Sequence, residues 1–253
     1  MPLAEFKYEL AEPDKGYNNR TLYINLTENR IESKPVSDKM KDTFVGGKGF
    51  DLWLLWNGLP KDRIIKWDDP ENEICIACGP LGGTTIYPGS GKSIAVSISP
   101  LTGSVIDSNV GGYFGPYLKF SGWDCLEVQG KAKKDVVIVI NGDEGIITIE
   151  EAVDLSEETH VLGQQLVERY GADNKRSIST VTAGTGAKHT LFGCLNFSWY
   201  DHNRKVARFK QAGRGGIGTV FRDKKILAIV AKKTYPAPRW KVTRIEIPNL
   251  TGV

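Results

Sequence analysis

Apolar and polar positions alternate with a period of two over much of this chain, and that period predicts strands. The segment TLYINLTENRIE (21–32) alternates on both sides of Thr27-Glu28-Asn29, a turn signal, so it predicts a hairpin. Between 73 and 140 the pattern returns as EICIACG, SIAVSIS, GSVIDSN and CLEVQGKA. DVVIVINGDEGIITIE then predicts a second hairpin about Asn141-Gly142-Asp143. RSISTVTAG, TLFGCLNFSW and, later, KILAIVAKK supply further strands. Helical spacing is rarer. Residues 36–44 predict a short helix, and FDLWLLWNGL (50–59) spaces Phe50, Trp53, Leu54 and Trp56 helically before stopping at Gly58. SEETHVLGQQLVERYG (156–171) reads as one amphipathic helix, with Asp154 and Glu157 resembling its capping box and Gly171 in the C-terminal position. This order is that of a strand-dominated α+β chain with long meanders, not of a βαβαβ alternation. No repeat of 20–50 residues is visible. Residues 1–233 read as one domain, and the proline-bent tail TYPAPRWKVTRIEIPNLTGV (234–253) as an extended arm.

Composition adds few constraints. With 253 residues, 40% hydrophobic and 25% charged, the chain has the make-up of an ordinary globular protein with a proper core. A net charge of +3 is too small to argue for nucleic acid. The N-terminus lacks the apolar core of a signal peptide and no apolar run approaches a membrane span, so the expected location is cytoplasmic. Lys131, Lys133 and Lys134 suit a solvated face. Arg204, Lys205, Arg208 and Lys210 lead into a glycine-rich stretch and are placed to neutralise a phosphate or to meet a partner. Glycine is the exception to this ordinariness. Four islands, VGGKGF (45–50), GPLGGTTIYPGSGK (79–92), NVGGYFG (109–115) and AGRGGIG (212–218), hold more than half of the 28 glycines. Glycine lets another group come against main-chain N–H and C=O, so four islands on one sheet-rich body point to a large, flat or anionic ligand lying on backbone.

Familiar phosphate-loop chemistry does not account for them. A Walker A loop ending at Gly91-Lys92-Ser93 requires glycine at 86, where Ile86 stands, and SIAVSIS follows as strand where a helix is needed. GRGGIGTV (213–220) lacks both the Rossmann spacing and a long following helix. Cys75 and Cys78 form a CxxC, but within a strand-like run their side chains point to opposite faces and no second pair completes four ligands, so both read as small buried hydrophobes. His160 lies on the amphipathic helix, and His189 and His202 lie in or beside loops. Of these only His202, next to Asp201 and the basic stretch, is a candidate for chemistry. Asp107, Asp124 and Asp201 are candidates for positioning or ligand hydrogen bonding, with nothing pairing them as acid and base.

GPLGGT, SPLTG, SNVGGYFGPYLKFSGWDCLEVQGKA and QAGRGGIGTVFRDKKILAI, in that order from about residue 18 to 232, resemble the N-terminal domain of the tungsten-containing aldehyde ferredoxin oxidoreductases. The resemblance implies two β-sheets forming a base for a bis-pterin cofactor that holds tungsten, or sometimes molybdenum. It implies a magnesium ion between the two pterin phosphates, held by main-chain carbonyls that map to Asn109 and Gln211. Gly91, Gly111, Gly112, Ala212, Gly213, Arg214, Gly215 and Gly216 would line the pterins and their phosphates. Lys92 stands where relatives carry an arginine between a pterin and the iron–sulfur cluster, and keeps the charge without the planar fork. The stretch WYDHNRKVARFKQ is longer than in the shorter family members.

Such relatives continue into helical domains that supply four cysteines for a [4Fe–4S] cluster, a cap on the pterins and the substrate channel. The expectation is therefore a split subunit or fragment, inactive alone, that pairs with a chain carrying those domains or associates with itself. The complete assembly would oxidise a small aldehyde to a carboxylic acid and pass electrons through the [4Fe–4S] cluster to a ferredoxin-type carrier. Alternatives are a non-catalytic scaffold or cofactor-binding module, and part of a related aromatic acyl-thioester reductase. Catalytic residues are not assignable from this chain.

Overall fold

Residues 2–10, 12–84 and 90–234 are described by this computed structural model, and they form two open sheets. β1 (Ala4–Lys7) belongs to the larger one. The hairpin β2 (Arg20–Asn25) and β3 (Arg30–Pro35) begins the smaller, turning through Asn29 at φ 52°. α1 (Asp38–Thr43) is capped by Ser37, whose hydroxyl accepts from the Met40 N–H. α2 (Lys48–Gly58) starts inside the first glycine island and ends at Gly58 as its spacing predicts. β4 (Ile74–Ala77), β5 (Ser93–Ile98), β6 (Val105–Val110) and, after the helix α3 (Phe114–Phe120), β7 (Cys125–Gln129) complete a six-stranded sheet in the order β3-β2-β7-β4-β5-β6.

The seven-stranded sheet takes the remainder. β8 (Val136–Asn141) and β9 (Ile146–Glu151) form the second predicted hairpin, and α4 (Thr159–Tyr170) follows. β10 (Ile178–Thr182), the hairpin β11 (Leu195–Asp201) and β12 (Val206–Ala212), the helix α5 (Ile217–Asp223) and β13 (Ile226–Lys232) close the chain order. The sheet order is β1-β9-β8-β13-β10-β11-β12. Pairing is antiparallel apart from β2 with β7 and β8 with β13.

Strand alternation sorts residues between three cores. Ile74, Ile76, Leu126 and Val128 of the small sheet face Val136, Ile138, Ile140 and Ile229 of the large one, with α3 and α5 contributing Phe114, Leu118, Val220 and Phe221. The alternate residues of β4 and β7, Cys75, Ala77 and Cys125, lie under α1 and α2. On the outer face of the large sheet Val137, Val139 and Val230 lie under Leu162 and Leu166 of α4. The layers are therefore helix, sheet, sheet, helix, each face closed by apolar side chains that burial stabilises by about 25 cal/mol per Å².

Two expectations need correcting. Asp154 does not cap α4: it sits one turn earlier at φ 58°, and Glu158 is the cap, its carboxylate accepting from the Val161 N–H at 2.8 Å. Ser156 explains the delay, because its N–H is held by the Gln165 side chain at 2.7 Å and keeps the chain bent before the helix starts. Gly171 does close α4, but at φ −114° rather than in a left-handed conformation. α3, α5 and the basic strand β12 are further elements that the apolar pattern did not announce. Among the arm residues only Thr234 is described, its N–H and hydroxyl bonded to Asp143; the rest of the arm, 235–253, and the island residues 85–89 lie outside the described residues.

Candidate functional site

β6 and β12 are edge strands, one from each sheet, and they lie against each other. An edge strand keeps half of its carbonyls and N–H groups unpaired within its sheet. Asn109 stands near the end of β6 and Gln211 near the end of β12, and both line one cavity of about 360 Å³. Gly91, Lys92, Gly111 and Gly112 complete its wall, so six of the residues singled out in the sequence converge. Among the described residues, Lys210, from the basic stretch, is the one lining side chain that carries charge besides Lys92. With two lysines and, among the described residues, no carboxylate, the cavity is a place for an anion.

Local geometry explains why glycine recurs here. A side chain on Gly91 would strike the carbonyl of Gly112, so the second and third islands pack main chain on main chain. Gly112 itself sits at φ 131°, a conformation only glycine takes readily, and the place a Cβ would occupy there is open, as it is at Gly213. The fourth island lies alongside. Arg214 is exposed and its N–H donates to the Ser108 hydroxyl at 3.0 Å, which ties the island to β6. Gly215 packs on Ile106, and Gly216 at φ 71° begins α5 against Pro100 and the Leu191 carbonyl. Ala212, Gly213, Arg214, Gly215 and Gly216 are thus beside the cavity rather than among its lining residues, and the Ala212 side chain is turned wholly into the core.

Gly91 and Gly112 also border a larger cavity of about 1050 Å³. Its walls are aromatic, with Tyr113, Trp199 and Tyr200 among them, and His202 lies on its rim, exposed. Nothing in the residue pattern announced this cavity, because its walls come from α3, the turn at 174–176 and the β11–β12 hairpin, which only the fold brings together.

The other candidates are placed elsewhere. Asp124 is buried in an ion pair with Lys119 at 2.6 Å and accepts from the Asn18 N–H, which is a structural position. Asp201 accepts from the Asn203 and Arg204 N–H groups and pairs with the Arg204 guanidinium, which holds its carboxyl below the usual range. Asp107 pairs with Lys48 at 2.6 Å, linking β6 to the first glycine island. His160 packs edge-on to Phe209, and His189 is exposed in a loop. The Cys75 thiol faces Glu73 and the Cys78 thiol the Gly115 carbonyl. Burial pushes both thiols up, Cys78 to about 11, so they stay protonated near neutral pH. Among the described residues no group of three or more His, Cys, Asp or Glu side chains is placed to hold a metal, and no helix is long and apolar enough to cross a membrane.

Comparison with known proteins matches residues 21–233 to the family described as aldehyde ferredoxin oxidoreductase, N-terminal domain. The tungsten-containing aldehyde ferredoxin oxidoreductase of Pyrococcus horikoshii is 32% identical over 221 residues, 86% of this chain and 33% of that protein. The aliphatic sulfonate oxidoreductase, WOR-like subunit, of Pyrococcus furiosus is 30% identical over 241 residues, covering 88% of this chain and 35% of its own length. Among solved structures, a chain of the active site complex BamBC of benzoyl coenzyme A reductase, bound to 1,5-dienoyl-CoA, superposes with a TM-score of 0.73 at 25% identity, over 87% of this chain and 31% of that one. The chain spans about a third of the length of the relatives it matches.

Proposed function

Because this chain belongs to the aldehyde ferredoxin oxidoreductase family, matching that family's N-terminal domain, we propose that it is the base on which a tungsten (or molybdenum) bis-pterin cofactor rests inside a larger oxidoreductase. The observation that carries the reading is the seam of β6 and β12, where Asn109 and Gln211 from two different sheets reach one lysine-lined cavity. The cavity suits the group. Edge-strand carbonyls are available to a hard cation such as magnesium, which takes oxygen ligands. Lys92 and Lys210 balance phosphate charge, and the open space at Gly112 and Gly213 lets a flat ring approach the main chain. When bound, the cofactor would supply the two-electron step that turns an aldehyde into a carboxylic acid. The residues of this chain position it and set the charge around it. Lys92 would offer a point charge toward the cofactor, without a bidentate fork.

The part corresponding to the remaining two thirds of the relatives' length, on the same polypeptide or on a partner chain, would bring the [4Fe–4S] cluster and the path to a ferredoxin-type carrier. The likeness to the benzoyl coenzyme A reductase chain keeps an aromatic acyl thioester as the alternative substrate. The test is metal analysis of the chain purified from its native cell together with whatever binds it. One tungsten or molybdenum per chain is expected. A stable complex holding neither would overturn the reading in favour of a non-catalytic module.

A further inference from the structure

The larger cavity, about 1050 Å³, borders the proposed cofactor cavity at Gly91 and Gly112, and beyond them it has a wall of its own, built by Tyr113, Tyr117, Arg176, Trp199 and Tyr200. We propose that it takes a planar aromatic ring bearing a carboxylate or phosphate. Its volume is that of pockets which enclose most of a small organic ligand. The aromatic wall is ordered by its own contacts: Tyr113 stacks on Tyr117 at 6.0 Å between centroids and meets Trp199 edge-on at 6.2 Å. A flat ring extends such an array by offset or edge-to-face contact, which adds to simple burial.

The charge comes from Arg176, and His202 adds ring nitrogens for hydrogen bonding. Both line the cavity, and among the described residues neither the guanidinium nor the imidazole has a hydrogen-bond or ion-pair partner. The backbone under Arg176 is nevertheless fixed, because its carbonyl accepts from the Tyr117 hydroxyl and its N–H donates to Asn174 Oδ1 at 3.1 Å. Among the described residues the one carboxylate at the cavity, that of Asp201, is spent on Arg204 and on the turn amides, so it does not neutralise Arg176. A guanidinium fork held on a fixed backbone beside aromatic rings matches a planar anion, since the fork bonds carboxylate or phosphate bidentately. An aliphatic anion would leave the rings unused, and a neutral ring would leave the guanidinium unused.

The test is calorimetric titration of the full chain with 2-naphthoate, with 2-naphthyl phosphate and with decahydro-2-naphthoate, which keeps size and charge but loses the flat ring. Saturable one-to-one binding of at least one aromatic anion is expected, with the saturated acid at least about tenfold weaker. Arg176→Gln, at an exposed position, should weaken the aromatic anions at least about tenfold, the loss of one charge-assisted bond. Trp199→Leu should weaken them comparably, with circular dichroism confirming the fold. The tighter of the two aromatic anions identifies the acid group. Absence of saturable heat with both, equal affinity for the saturated acid, or an unchanged affinity in Arg176→Gln would overturn the proposal. None of these outcomes depends on tungsten, so the two readings fail separately.

Discussion

Asp124 shows how a polar residue beside a glycine island can be a fold determinant instead of a ligand. Its carboxylate and the Lys119 ammonium are both 1% exposed and 2.6 Å apart. Removing one charge would strand the other, which costs about 3–5 kcal/mol in buried pairs. Asp124→Asn is therefore expected to lower the urea midpoint sharply, whereas Asp107→Asn, at a half-exposed pair, should change the unfolding free energy by less than about 1 kcal/mol. Equal effects in chemical denaturation would count against this assignment. Glu73 supplies a second residue-level prediction, through pH. Burial, with Glu127 adding to it, pushes its carboxyl from 4.5 up to about 8. A raised carboxyl pKa means that the folded state holds the proton more tightly, so the stabilisation is full below about pH 4.5 and is lost as pH rises through 8. Lys224 works in the opposite sense higher up, since burial lowers it to about 7 and stability gained from its neutral form grows from there toward its ordinary value. Glu73→Gln stays neutral throughout. Its stability relative to the parent chain should rise by on the order of 2–4 kcal/mol between pH 4.5 and 8. Parallel stability curves for the two proteins over that range would show that the carboxyl ionises freely.

At the scale of elements, the glycine islands act by placing helix starts and strand edges. Gly216 begins α5 at φ 71°, and a Cβ there would meet the Leu191 carbonyl, which is main chain and cannot swing away. Gly216→Ala should cost more than the ~1 kcal/mol of a left-handed alanine and lower the melting temperature by several degrees. A melting curve unchanged by this substitution would mean that the island is looser than its packing indicates. The hairpins β2–β3 and β8–β9 and the helix α2 were legible because their side-chain periods are long enough to recognise and one face of each is buried. α3 and α5 were not, since each is seven residues long and buried on nearly every side, which erases the periodic signal. β12 was hidden for the opposite reason: as an edge strand it exposes Val206, Arg208, Lys210 and Gln211, so it reads as a basic loop. The same split holds for the site. Asn109, Gly111, Gly112 and Gln211 could be named from their motifs, while Lys210 and the aromatic cavity depend on the meeting of two sheet edges that are far apart in sequence.

Among the described residues of the whole molecule, exposed apolar side chains gather around the fourth island. Gly216 touches both Pro100 and Leu191, so the loops carrying Leu101 and Phe192 come together over it. Leu101 is 58%, Leu191 49% and Phe192 70% exposed, beside the seam of β6 and β12. Large apolar side chains gathered at a proposed cofactor face mark an interaction surface more often than an inert one. The occupant we propose is the part that corresponds to the other two thirds of the relatives' length. Because these side chains are already exposed, replacing them should hardly change the stability of the isolated fold, within about 0.5 kcal/mol. The double change Leu191→Glu and Phe192→Glu should instead abolish co-elution with that part, supplied as a separate polypeptide, in size-exclusion chromatography, since burying two unpaired carboxylates at an interface costs several kcal/mol. Retention of a stoichiometric complex by the double variant would exclude this face as the contact. Loss of the complex together with an unchanged melting temperature would place that part over the glycine seam, where a cofactor shared between the two would be enclosed.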